Sequence, residues 1–250
     1  GAGGTNSLIL QNPAGVGGGI TGTGTASSAT YINFNNLTLN SGTWTLQGPL
    51  VSGATTLNGG VAQFNNNATF GSGVLTSNGG VLQASNAGLN ISNLISLGAA
   101  GVTLQGSNAT TLSGVISGSG GLTKVGAGQL NLSAANTYLG NTTLNGGNIT
   151  NGPSTGASIG SANGNTTVAA NGTLTNNGTI AGTNVTASST GNLTNAGNIT
   201  GTNTNVTGGN YEDLVADKTP VSTTVTDTVD TTNLSLSATG SVAEGGSIVY

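Results

Sequence analysis

The chain repeats itself at a fixed offset, and this periodicity constrains its fold more than any other feature. Residues 52–63 recur at 72–83, where eight of twelve positions are identical at an offset of twenty residues. Residues 172–180 recur at 191–199 at an offset of nineteen, with six of nine positions identical. A fixed period of about 20 to 50 residues indicates a solenoid or another repeat architecture, in which each unit packs on the next.

The residues within each period favour short β-strands. Gly, Asn, Thr, Ser and Val recur every two or three residues, and all of them are poor helix formers. Apolar and polar residues alternate in runs such as Leu37-Thr38-Leu39, and Gly or Asn ends each run. Two or three such strands per period form one coil of a parallel β-solenoid. The sequence therefore predicts an all-β fold in which residues 1–210 are a parallel β-solenoid body.

Stacking in register makes specific predictions about vertical neighbours. Asn58 should stack on Asn78, and Leu174 on Leu193. Only 3% of the residues are charged, and the stacking explains why, since like charges about 4.8 Å apart repel by about 0.9 kcal/mol even in water. Stacked Asn side chains instead hydrogen-bond along the rod as ladders, and Asn and Gly tolerate left-handed corners. A disordered low-complexity linker is the alternative, and the periodicity argues against it.

The few charges divide the chain in two. All six acidic residues follow position 210, and Lys124 is the single charged residue before it. The negative charge therefore belongs to an acidic segment, residues 211–250, where six acidic residues and Lys218 give −5, and Lys124 brings the whole chain to −4. Because electrostatic binding of nucleic acid needs clustered Lys and Arg, and the chain has no Arg, nucleic acid is not expected as a partner.

The body also lacks the residues of an active site. It has no His, no Cys and no acidic residue, so carboxylate pairs and nucleophilic triads are not expected there, and we predict that the chain is not an enzyme. Lys124 is expected to be a surface or stacking residue. The early coils hold most of the aromatic residues, which either form a carbohydrate-stacking patch or cover the core, and core packing is favoured: Tyr31, Phe34, Trp44, Phe64 and Phe70.

One segment has a more specific pattern. Residues 118–147 read G-x-G-x-L-x-K-x-G-x-G-x-L-x-L, followed by Asn-Thr-Tyr-x-Gly, a further strand and Asn-Gly-Gly. This segment resembles the passenger-associated, or autotransporter-associated, β-strand repeat, with Lys124 in the family's basic position and Leu139 where Thr or Ser is common. The resemblance implies a right-handed parallel β-helix in a large secreted surface protein, typically the stalk of a Gram-negative adhesin.

The acidic segment resembles a different family. From residue 223 onward it is similar to the opening of the immunoglobulin-like repeats of giant bacterial adhesins, but it is too short to close a seven-stranded sandwich. Its carboxylates are either a solvated linker or oxygen ligands for Ca²⁺ at the junction. The residues predicted for calcium are Asp213, Asp217, Asp227 and Asp230.

These observations predict a structural function. We expect an extracellular stalk or adhesive rod on a bacterial surface, with other copies of itself or surface glycans as partners. The alternative is a subunit of an extracellular filament or matrix fibre joined by exchange of the C-terminal strands. A carbohydrate-binding module, with Trp44 as its stacking residue, is a third possibility. No stretch is apolar for long enough to predict a membrane span.

Overall fold

The computed structural model describes residues 5–11, 22–152, 157–160, 164–169, 172–187, 191–199, 203–207 and 222–226. These residues form 26 short β-strands and no helix. All strand pairings between them are parallel, and they stack as a β-solenoid of about eight turns. The predicted all-β solenoid is therefore confirmed.

Each turn passes through up to three sheets, which form the faces of the solenoid. The first sheet contains β1 (Ser7–Leu10), β3 (Asn36–Leu39), β5 (Thr55–Leu57), β7 (Leu75–Ser77), β10 (Ile95–Leu97) and β13 (Ile116–Gly118). The second sheet is the longest and contains β2 (Thr23–Ser27), β4 (Thr43–Gln47), β6 (Val61–Phe64), β8 (Val81–Ala84), β11 (Val102–Gln105), β14 (Leu122–Lys124), β16 (Thr142–Leu144), β19 (Asn165–Val168), β22 (Asn184–Ala187), β25 (Asn203–Thr207) and β26 (Ser222–Thr226).

Two further sheets complete the solenoid. The third contains β9 (Leu89–Ile91), β12 (Thr110–Leu112), β15 (Gln129–Leu132), β17 (Gly147–Asn151), β20 (Gly172–Asn176) and β23 (Asn192–Asn195). The fourth contains β18 (Ser158–Ile159), β21 (Thr179–Ile180) and β24 (Asn198–Ile199). From β2 to β22 the second sheet takes eight steps, which at about 4.8 Å each make a stack about 40 Å long.

The predicted vertical neighbours are confirmed. Asn78 donates a hydrogen bond from its side-chain Nδ2 to the Oδ1 of Asn58 at 2.9 Å, and Leu174 is the register partner of Leu193. Side chains of the same type therefore stack from turn to turn. The corners also use the left-handed conformation as expected, for example at Gly60 with φ 73°.

The core is a set of aliphatic columns that run along the inside of the solenoid. Inward positions alternate with outward ones along most of the strands whose burial the structure describes, as in β3 and β6, where two of four residues are buried. The aromatic side chains of the early turns belong to this core. Phe64 and Phe70 are fully buried, with ring centroids 5.2 Å apart, and Tyr31, Phe34 and Trp44 pack against the same cluster.

The segment 118–147 spans more than one turn and contains an irregular connection. Residues 133–141 run where the next strand of the first sheet would lie, since the N–H of Thr137 donates to the carbonyl of Ile116 at 2.8 Å. The buried Asn136 side chain joins both neighbouring turns, accepting from the Ile116 N–H at 2.8 Å and donating to the Ser158 carbonyl at 2.8 Å. This connection therefore links the first sheet to the fourth.

Little of the acidic segment 211–250 lies within the described residues. Its strand β26 pairs in parallel with β25 and extends the second sheet. The resemblance of this segment to immunoglobulin-like repeats and the division of the chain at residue 210 stay predictions. Among the described residues there is no helix with the length and hydrophobicity that a membrane crossing requires.

Candidate functional site: the uncharged outer faces

The predicted calcium ligands cannot be placed. Asp213, Asp217, Asp227 and Asp230 all lie outside the described residues. The part of the chain that the structure describes holds no group of three or more His, Cys, Asp or Glu side chains able to hold a metal ion. The calcium site stays a prediction, and the outer faces of the sheets are the candidate functional surface.

The outer face of the first sheet has three columns of different chemistry. An apolar column contains Ala54, Val74, Leu94 and Val115, which immediately precede the paired strand residues of β5, β7, β10 and β13. A hydroxyl column beside it contains Thr38, Thr56, Thr76, Ser96 and Ser117. An amide column contains Asn40, Asn58 and Asn78, linked by side-chain hydrogen bonds of 2.9 Å.

The exposed aliphatic side chains concentrate on this face. The described residues have five large apolar side chains with high exposure, and Ile32, at a corner, is the one that lies off the first-sheet face. Leu94 is 58% exposed and Val74 40%. Ile9 is the register partner of Thr38 and so lies at the end of the hydroxyl column, in the first turn. Leu139 lies on the same face beyond β13, where its N–H donates to the Gly118 carbonyl. An apolar stripe on an otherwise polar surface is typical of a contact surface.

The outer faces of the other two long sheets are neutral and mostly polar, with Val61 and Val81 in one column of the second sheet. On the second sheet, five threonines on successive turns form one column: Thr103, Thr123, Thr143, Thr167 and Thr186. Beside their N-terminal end, Gln105 donates to Gln83 at 2.8 Å. On the third sheet, Thr150, Thr175 and Thr194 stack in register. These faces offer only hydroxyl and amide groups for hydrogen bonding.

Lys124 is not a surface residue, which corrects one of the sequence-based alternatives. Its side chain is 3% exposed and occupies an aliphatic column between Leu104 and Leu144. The ammonium Nζ donates to the carbonyls of Val125 at 2.9 Å and Gly126 at 2.8 Å. Burial lowers the pKa of Lys124 below its ordinary value, because desolvation disfavours the charged form. The amine therefore binds the backbone carbonyls of a corner of the fold.

Sequence reasoning missed an amide column inside the rod. Asn151, Asn176 and Asn195 are buried, and each donates to the next at 2.6 Å from Nδ2 to Oδ1. The same column is aliphatic in the preceding turns, where it contains Leu112 and Leu132. The available signal was strand alternation, since Asn176 lies two residues after the buried Leu174 and so points to the same side.

Trp44 is poorly placed for stacking on a sugar. Its ring packs over Gly24, where any Cβ would collide with it, and its indole N–H donates to the Ser41 carbonyl at 3.0 Å. The ring is half-buried against the core. The structure therefore supports core packing for this residue.

Comparison with known proteins gives no assignment. No protein-family model matches the chain, and neither the curated proteins nor the solved structures include a significant match. The fold is that of a β-solenoid and is compatible with a β-helix repeat protein. The passenger-associated resemblance of residues 118–147 therefore stays a prediction.

Proposed function

We propose that the chain is a structural rod, the rigid stalk or adhesive shaft of an extracellular bacterial surface protein. The observation that carries this proposal is the stacking of like side chains in register through about eight turns. Backbone hydrogen bonds between turns run along the rod axis, so each turn is held to its neighbours by several bonds at once. Such a stack is stiff and keeps its ends apart.

The first-sheet face supports an adhesive role for the rod. It combines the exposed apolar column with hydroxyl and amide columns, and the described residues include no exposed charged side chain. A neutral flat face can approach another neutral surface without long-range repulsion. The neutral partners that we propose for this face are surface glycans and further copies of the chain.

The filament alternative has one observation in its favour. Strand β26 lies nineteen residues after β25 in the sequence and adds to the second sheet as a further parallel strand. A C-terminal strand of this kind, added instead to the sheet of a neighbouring copy, would join subunits into a fibre.

Electron microscopy and small-angle X-ray scattering of the full chain test these proposals. Isolated stiff rods support the stalk, and regular fibres with one chain per repeat support the filament. Scattering of a flexible coil would refute both. Adhesion is tested separately by retention on hydrophobic beads: Val74→Thr with Leu94→Thr should reduce it, whereas Val61→Thr with Val81→Thr, the same change on the second sheet, should not. Equal loss in the two variants would exclude a specific contact face.

A further inference from the structure

The chain contains the same hexapeptide twice in different structural settings. Residues 55–60 and 142–147 both read Thr-Thr-Leu-Asn-Gly-Gly. In each copy the first three residues form a short strand, β5 or β16, and Asn-Gly begins the corner after it; the last glycine precedes β6 in the first copy and is the first residue of β17 in the second. Asn58 and Asn145 are both exposed. Any difference in their reactivity therefore arises from the fold, because the local sequence is identical.

The surroundings of the two Asn side chains differ sharply. Asn58 is held at both ends, since its Nδ2 donates to Asn40 at 2.9 Å and its Oδ1 accepts from Asn78 at 2.9 Å. The corresponding neighbours of Asn145 are Val125 and Ala169, which carry no amide. Among the described residues, no side-chain hydrogen bond holds Asn145.

A third Asn-Gly-Gly corner gives an intermediate case. Asn78 occupies the same corner as Asn58, one turn further along the rod. It donates to Asn58 at 2.9 Å, but the next turn has Gly98 at this position, so no amide donates to its Oδ1. The three corners thus have two, one and no ladder hydrogen bonds, at Asn58, Asn78 and Asn145 respectively.

We propose that Asn145 is a site of spontaneous hydrolytic modification in the folded rod and that the amide ladder protects Asn58 from the same reaction. The backbone nitrogen of Gly146 attacks the side-chain carbonyl carbon of Asn145, an N–C bond forms, and the side-chain nitrogen leaves as ammonia. Water then opens the cyclic imide at either carbonyl, giving aspartate or isoaspartate. No oxidant or other reactant is needed.

The reaction requires the Asn side chain to rotate toward the next backbone nitrogen. A ladder hydrogen bond must break first, so each one slows the reaction by about five-fold. Two other Asn-Gly pairs should be inert because their glycine nitrogens are engaged. The Gly152 N–H donates to a backbone carbonyl at 3.0 Å, beside the buried Asn151, and the Gly178 N–H donates to the Asn176 side chain at 3.3 Å, which protects Asn177.

The products conflict with the architecture of the rod. At Asn145 the reaction places a negative charge on a surface where the described residues carry no other exposed charge. At Asn78 a carboxylate would lose the donor that binds Asn58, leaving two oxygen acceptors facing each other. Isoaspartate also inserts a backbone carbon into the corner, which disturbs the register of the next turn.

Peptide mapping by mass spectrometry tests the order of reaction. The folded full chain is incubated in mildly alkaline buffer and digested with a protease that cuts after aliphatic residues, since the chain has only two basic ones. We expect Asn145 to react about five-fold faster than Asn78, and Asn78 about five-fold faster than Asn58. In urea, where the ladders are absent, Asn58 and Asn145 should react at one rate.

Two variants separate the ladder from other effects. Replacing both ladder neighbours, Asn40→Ala with Asn78→Ala, should raise the rate at Asn58 toward that of Asn145 in the same molecule. Val125→Asn should supply an amide below Asn145 and slow its reaction. Equal rates at Asn58 and Asn145 in the folded wild-type chain, or an unchanged rate at Asn58 in the double variant of a folded rod, would overturn the proposal.

Discussion

The Tyr138 hydroxyl should control how the rod responds to alkali. Tyr138 is fully buried in the connection between the first and fourth sheets, and its hydroxyl is hydrogen-bonded to that of Thr142. Burial raises the pKa of Tyr138 from 10 to about 12, although the hydrogen bonds with Thr142 and Gly160 act in the opposite direction. The charged phenolate is therefore strongly disfavoured in the folded chain.

The sign and size of the effect follow from this shift. The unfolded chain loses the Tyr138 proton near pH 10, while the folded chain keeps it to about pH 12. Folding stability is therefore fully present below pH 10 and is lost as the pH rises from 10 toward 12. A difference of about two pH units corresponds to about 3 kcal/mol of unfolding free energy.

Urea unfolding followed by far-ultraviolet circular dichroism measures this effect. Tyr138→Phe should be about 1 kcal/mol less stable than wild type near neutral pH, because the hydrogen bond with Thr142 is lost. Above pH 10 the wild type should lose stability more steeply, so the two curves should cross before pH 12. Short exposure to alkali keeps Asn hydrolysis out of the measurement. Parallel curves for the two proteins over this range would show that burial of Tyr138 does not set the alkaline limit.

Two further substitutions test the interior. Lys124→Leu should remove a rise in folding stability with pH. The folded chain gains stability as the pH increases toward 10.5, the ordinary pKa of Lys, because burial lowers the pKa of Lys124 in the folded state. Urea midpoints of both proteins at several pH values measure this, and an equal dependence on pH in the two proteins would contradict it. Asn176→Leu should cost about 4 kcal/mol of unfolding free energy, because the buried amides of Asn151 and Asn195 each lose a partner at about 1 to 3 kcal/mol. The same change at the exposed neighbour Asn177 should shift the urea midpoint little, and a similar small shift at Asn176 would mean that the interior ladder does not stabilise the rod.

The register of the solenoid could be predicted because two thirds of the positions in each repeat are identical at a fixed offset. When Asn58 recurs as Asn78 in the same local sequence, equal backbone paths place the two at the same corner of successive turns. The alternation of Leu, Thr and Asn likewise predicted Leu174 above Leu193. These predictions need only the period and the direction of stacking, and the sequence contains both.

The interior polar side chains were harder to predict because two rules conflict at them. Hydrophobicity places Lys124 and Asn176 outside, while strand alternation places each on the same side as a buried Leu two residues earlier, Leu122 or Leu174. Alternation is correct at both positions. In a rod this narrow an inward polar group lies within reach of a corner, so Lys124 binds corner carbonyls and Asn176 binds its stacked neighbours.

The segment 118–147 marks a change in the construction of the rod. Before it the interior column of the third sheet is aliphatic, and successive strands from β3 to β14 pair at offsets of 18 to 22 residues. After it the column is Asn, and from β19 onward the strands of the second sheet pair at a constant offset of 19 residues. At the boundary Asn151 stacks on Leu132, so the Oδ1 of Asn151 has no hydrogen-bond partner. The first sheet also ends at this boundary and the fourth begins beyond it, whereas the second sheet continues through β14, β16 and β19. Because the second and third sheets both span the boundary, two stretches with different core chemistry form a single stack, and the residues that resemble a passenger-associated repeat are the ones that join them.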